Sequence, residues 1–135
     1  MRVKLSLGNS DFIGFKNVNP FTELKELHDN SVNEIYLDQE VLSKILNSES
    51  KNFIQTLLSK LRRGGNIIIT GPDCRHCFLA YSQGRLDEEK LSDLLGESRG
   101  FYNCKFIENI LISLNIKIES MSISNYYFHI KGTRS

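Results

Sequence analysis

At 135 residues, with 40% hydrophobic and 24% charged residues, the chain has the length of one domain and the composition of one that folds on a buried core. Seventeen basic against sixteen acidic residues leave a formal net charge of +1, so no global field draws the protein to nucleic acid or to an anionic membrane. Three cysteines, an odd number, argue against a secreted disulfide framework. No apolar run is long enough to cross a bilayer, and Met1 to Leu7 lacks the apolar core of a signal peptide, so the expectation is a cytoplasmic protein with residues 1–135 as a single domain.

Val3, Leu5 and Leu7 alternate with Lys4 and Ser6, which predicts a strand ending at Gly8. A second short strand is expected at Phe15 to Asn19, stopped by Pro20. A third is expected at Asn33 to Asp38, entered from the turn-like Asp29-Asn30-Ser31. A short helix is expected around Glu40 to Leu46. The clearest helix follows, where Phe53, Ile54, Leu57, Leu58 and Leu61 form one stripe at helical period. Ser48 or Ser50 is the candidate cap at its start, and Gly64 the candidate left-handed stop. The apolar run of Asn66 to Thr70 reads as a strand covered on both faces.

Beyond the Gly71-Pro72 break two helices are expected, capped by Asp87 and by Asn103. The chain closes with strands at Ile116 to Ser124 and Tyr126 to Lys131, and their joint at Ser124-Asn125 allows a tight antiparallel hairpin. The order defines an α/β sheet, mostly parallel with an antiparallel strand near the C-terminus. Only seven residues, Gly8 to Gly14, join the first two strands. A helical crossover needs about a dozen residues, so the first crossover helix is absent or reduced to a turn.

Several segments together resemble the class I S-adenosylmethionine-dependent methyltransferases, in particular the small ones that open with a Leu-Asn-Leu-Gly-type strand. Val3-Lys-Leu-Ser-Leu-Gly-Asn-Ser10 is similar to that opening, and Gly14-Phe-Lys-Asn-Val-Asn19 to the segment ending the second strand. Asp29-Asn-Ser-Val-Asn-Glu-Ile-Tyr36 resembles the approach to the family's fourth strand, and Leu58-Ser-Lys-Leu-Arg-Arg-Gly-Gly-Asn-Ile-Ile-Ile69 the Gly-Gly run before its fifth. Gly71-Pro-Asp73 and Gly84-Arg-Leu-Asp-Glu-Glu88 fit the segments after that. The resemblance implies a reduced Rossmann-like methyltransferase sheet with helices on its faces. It also implies S-adenosylmethionine as cofactor, bound near Gly8, Asn9, Asn19, Asp38 and Gln39, with Asp73 as the catalytic candidate facing a small-molecule or protein acceptor.

The chain departs from the family pattern at three places. One glycine, Gly8, stands where the family has a glycine-rich turn. Asn19 stands where the family's acidic residue binds both ribose hydroxyls, which removes charge-assisted bonds each about twice as strong as a neutral one. Between Asn19 and Asp29 there is no room for the family's third strand. These departures favour an alternative function, a catalytically inactive binding or interaction module with the same fold. They also make the second strand a sheet edge, which predicts a homodimer or partner contact there, near Phe12, Phe15 and Phe21.

In an open α/β sheet ligands bind beyond the carboxyl ends of the strands where strand order reverses. The strand order that the resemblance implies puts this crevice between the first strand and the family's fourth, lined by Gly8, Asn9, Asn19, Asp38, Gln39, Pro72 and Asp73. The plainer reading of Asp38 and Asp73 is that they end strands and cap turns. Cys74-Arg-His-Cys77 offers one cysteine pair where a structural zinc site needs four ligands, so the expectation is no metal and small side chains in a loop. Tyr126, Tyr127 and Phe128 lie on alternate faces of a strand and lack the basic groove of a base-stacking platform.

Overall fold

The computed structural model describes residues 1–8 and 12–135. Its centre is a six-stranded sheet in the order β2-β1-β3-β4-β6-β5. The strands are β1 (Arg2–Leu5), β2 (Lys16–Val18), β3 (Val32–Leu37), β4 (Leu61–Pro72), β5 (Ile116–Ser124) and β6 (Tyr127–Arg134). β1 pairs in parallel with β2 and with β3, and β3 pairs in parallel with β4. Only β6 runs antiparallel to its neighbours, β4 and β5. The helices are α1 (Asn47–Lys60), α2 (Cys74–Ser82), α3 (Glu88–Leu95) and α4 (Cys104–Ser113), with single 3-10 turns at Leu24–Glu26 and Leu42–Lys44.

Strand register builds the core. Val3 lies beside Ile35 and Ile35 beside Ile67, while Leu5, Leu37, Ile69 and Ile130 form the next row. All are buried, together with Ile54, Leu57 and Leu58 of α1 and Ile107, Ile110 and Leu111 of α4. Each such side chain contributes about 1.5–3 kcal/mol by leaving water. The alternate row, Lys4, Tyr36, Ile68 and Lys131, faces the other way, and none of its members joins that core. Tyr36, Ile68 and Lys131 are half-buried. The run Asn66 to Thr70 is therefore packed under helices on its Ile67 and Ile69 side alone, and its apolar continuity overstated the cover. Helices α2 and α3 form a second, smaller cluster through Cys77, Ala80, Leu86 and Leu95.

The N-terminal half is reduced as the short spacing required. Among the described residues no helix connects β1 to β2, and one 3-10 turn connects β2 to β3. β2 is thus an edge strand. The caps of α3 and α4 follow expectation, since Asp87 accepts from Lys90 N–H and Asn103 from Phe106 N–H.

Four local expectations are corrected. The segment Glu40 to Leu46 forms only the 3-10 turn, because Ile45 and Leu46 are extended. Neither Ser48 nor Ser50 caps α1. Leu46 occupies the cap position, and Ser50 lies within the first turn with its hydroxyl donating to Asn47 O. Gly64 does not stop α1, which ends at Lys60 and passes at Leu61 directly into β4. There the register jumps from Val32–Leu61 to Glu34–Asn66, so residues 62–65 bulge out of the ladder. Gly64 has φ +79°, and a Cβ on Gly65 would press on Asn33 O, so the Gly-Gly pair serves the bulge. The fourth correction is Cys74 to Cys77, which is the first turn of α2 and not a loop. Three helices, not two, separate β4 from β5.

Candidate functional site

Strand order reverses between β1 and β3, the chain leaving β1 for β2 on one side and entering β3 on the other. The loops beyond these two carboxyl ends are tied together: Asp38 N–H donates to Leu5 O at 2.9 Å, and Leu7 N–H to Glu40 Oε1 at 3.3 Å. After β1, the buried Ser6 Oγ lies 2.5 Å from Asn17 Oδ1 and 2.8 Å from Gly8 O. Asn17 Nδ2 donates to the same carbonyl at 3.0 Å. Ser6 and Asn17 thereby fix the turn at Gly8, and neither stood out in the sequence, because a serine and an asparagine in a strand carry no pattern of their own. Among the described residues, a Cβ built on Gly8 would meet nothing within 4 Å. Asn9, the neighbouring expectation, falls outside the described residues.

Asp38 sits at the end of β3, as expected. One carboxylate oxygen accepts Gln39 N–H at 2.9 Å and the other lies 3.9 Å from Lys4 Nζ. The Lys4 side chain is only 4% exposed, and its ammonium lies 3.8 Å from the centre of the Phe12 ring, a cation–π contact. Phe12 in turn packs against Tyr36, with ring centroids 5.0 Å apart. The switch point therefore holds an opposite-charge pair roofed by aromatics, on the sheet face that the core leaves open.

Asn19 lies at the end of β2, and its acceptor is already used. Its Oδ1 takes Phe21 N–H at 2.9 Å, while its own N–H donates to Glu23 Oε1 at 2.9 Å, a local capping arrangement ahead of the 3-10 turn.

Asp73 is 2% exposed and serves two helices at once. One oxygen accepts His76 N–H of α2 and the other Cys104 N–H of α4, both at 2.9 Å. Its backbone N–H is held by Tyr126 O at 2.8 Å. With both oxygens occupied, the carboxylate acts as a shared N-cap. The sequence signal was available, since an aspartate one helical turn ahead of the apolar Cys77-Phe-Leu-Ala80 run is a helix start. All three cysteines feel this buried charge. Burial, then the Asp73 carboxylate, pushes the Cys74 and Cys104 thiols up, and Cys77 is pushed up to about 11 by burial first. Raised thiols are poor nucleophiles at neutral pH. No group of three or more histidine, cysteine or acidic side chains able to hold a metal occurs among the described residues.

Gln39 is exposed and faces an open cavity of about 520 Å³ beyond the carboxyl ends of β3 and β4. Glu40, Ser43, Lys44, Pro72 and Tyr127 line one side of it, and Ser92, Asp93 and Glu97 at α3 and beyond line the other. Lys44 pairs with Glu97 at 3.7 Å, which leaves Glu40 and Asp93 as the acidic surplus. Burial pushes the Tyr127 hydroxyl up, so it presents a neutral phenol. The structure thus brings Gln39 and Pro72 together at the cavity and Gly8 and Asp38 at the switch point, but it turns Asn19 and Asp73 to local capping.

The fold is shared with solved structures. An O-methyltransferase family protein from Burkholderia thailandensis superposes with a TM-score of 0.63 at 11% identity, over 90% of this chain and 35% of that one. A SAM-dependent methyltransferase from Archaeoglobus fulgidus gives 0.60 at 12%, over 89% and 67%. One from Methanosarcina mazei gives 0.59 at 16%, over 89% and 66%. The chain has the class I S-adenosylmethionine-dependent methyltransferase fold, with β6 as its single antiparallel strand. It spans about a third of the Burkholderia protein and about two thirds of the two archaeal ones. No protein-family model matches the sequence, and no curated protein matches it.

Proposed function

We propose that the protein is a small S-adenosylmethionine-dependent methyltransferase whose acceptor enters the cavity beside Gln39. The observation that carries this reading is the position of that 520 Å³ cavity, at the carboxyl ends of β3 and β4 next to the switch point of a methyltransferase fold. The residues fit the cofactor at its amino-acid end: Gly8 follows β1 without a side chain, and the partly exposed Asp38 carboxylate beyond β3 offers an acceptor to the cofactor's ammonium group. Bound there, S-adenosylmethionine supplies a methyl group on a sulfonium. The chain's own task is orientation, because an in-line transfer gains most from holding the two partners in line. Gln39 and the Tyr127 phenol orient the acceptor by hydrogen bonds. The surplus carboxylates Glu40 and Asp93 favour a basic or uncharged acceptor over an anionic one and can take up its proton.

A second reading, an interaction module that keeps the fold without the chemistry, is favoured by Asn19, whose one side-chain oxygen is uncharged and already accepts Phe21 N–H. Amide chemical shifts distinguish the two. Titration with S-adenosylhomocysteine is expected to move Gly8, Asp38 and Gln39 together, and shifts confined to residues outside both loops would contradict the proposal.

A further inference from the structure

The two edges of the sheet are guarded unequally. β2 is three residues long and begins at the exposed Lys16, two devices that discourage edge pairing. β5 is nine residues long, and its last six, residues 119–124, are exposed without a break. Residues 120–124 contain no charge and no proline. Met121 and Ile123 are 45% and 44% exposed, and Ile112, on the helix packed against β5, is 56% exposed. Long, uncharged and partly apolar edges are templates for another strand.

The register shows which backbone groups are available. Asn125 and Tyr126, both with positive φ, form a two-residue turn, and Ser124 pairs with Tyr127 across it. In such a hairpin Ser124, Ser122 and Ser120 bond to β6, so the N–H and C=O groups of Met121 and Ile123 point away from it. The strand is also complementary to itself. Antiparallel pairing about Ser122 sets Met121 opposite Ile123 of the second copy, and Ser120 opposite Ser124. Apolar then meets apolar, hydroxyl meets hydroxyl, and the outward groups of Met121 and Ile123 bond each other. A two-fold interface requires that reciprocity.

We infer that β5 is a homodimer interface: two copies join β5 to β5 about a two-fold axis at Ser122, making one continuous sheet. The contact lies at the opposite edge from the one that the short N-terminal half had pointed to.

Sedimentation of the purified full chain tests it. The wild type is expected to sediment at twice its 15.5 kDa mass at high micromolar concentration. Met121→Lys, which sets a lysine at the seam, is expected to sediment as a monomer with an unchanged circular dichroism spectrum. Should that variant not fold, hydrogen exchange of the wild type decides: protection of Met121 and Ile123 N–H is expected to rise with concentration, while Ser122 N–H stays constant. A wild type monomeric at every concentration overturns the inference. So does a dimer that survives Met121→Lys, which would place the contact at β2, and so does protection that ignores concentration.

Discussion

A single carboxylate at Asp73 caps α2 and also accepts the first N–H of α4, whose own cap is Asn103, so removing it frees donors at two helix starts at once. Asp73→Ala is expected to cost about 2–4 kcal/mol in urea unfolding, from two caps of typically ~1–2 kcal/mol each. A reacting group on the surface would leave stability unchanged. Cys77 gives a pH signature. Its folded value near 11 lies above the ordinary 9.0, so the fold favours the neutral thiol. That contribution is whole below pH 9.0 and is lost as pH rises through about 11. Cys77→Ala is expected to flatten the alkaline fall in the urea midpoint relative to wild type, and parallel curves would contradict this. Asn19→Asp keeps the oxygen that accepts Phe21 N–H and adds a second, charged one. If the crevice binds the cofactor's ribose at this position, affinity is expected to rise by about 1–2 kcal/mol, and no change places Asn19 outside that contact.

Elements are joined here by a few bonds between distant segments. Tyr102 Oη donates to Ile45 O at 2.6 Å in the interior, linking the segment before α4 to the turn after β3. Asn47 repeats the link from α1, exchanging bonds with both backbone groups of Phe101. Tyr102→Phe leaves the Ile45 carbonyl without this donor and is expected to cost about 1–3 kcal/mol, read as a lowered urea midpoint at unchanged slope. A tyrosine tens of residues from its acceptor carries no sequence signal, and the link was invisible there. The elements with period or caps were legible: the stripe of α1, the alternation in β1, Asp87 and Asn103. Where a feature's chemistry drew attention away from its place in the chain, reading failed. Cys74-Arg-His-Cys77, weighed as a ligand set and read as a loop, hid a helix start. The Gly64-Gly65 pair looked like a helix stop and hid a bulge.

At the scale of the whole molecule, α1 and α4 pack the sheet into its main core, α2 and α3 form a separate cluster, and Phe12 and Tyr36 stand with Lys4 on the face that this core leaves open. The short spacing between β1 and β2 announced that reduction, because chain length bounds what a connection can hold. The candidate site was half legible. Gly8, Asp38, Gln39 and Pro72 follow from strand ends once the strand order of the resembled family is taken over. The roles of Asn19 and Asp73 depended on which N–H groups lay within reach, and the acidic far wall comes from Asp93 of α3 and Glu97 just beyond it, a tertiary placement. The central claim is that the crevice between β1 and β3 still holds the cofactor. Calorimetric titration of the purified chain with S-adenosylmethionine and with S-adenosylhomocysteine tests it most directly. Saturable one-to-one binding at micromolar concentration is the expected result, and no heat up to millimolar ligand would contradict the account and leave the fold as an interaction module.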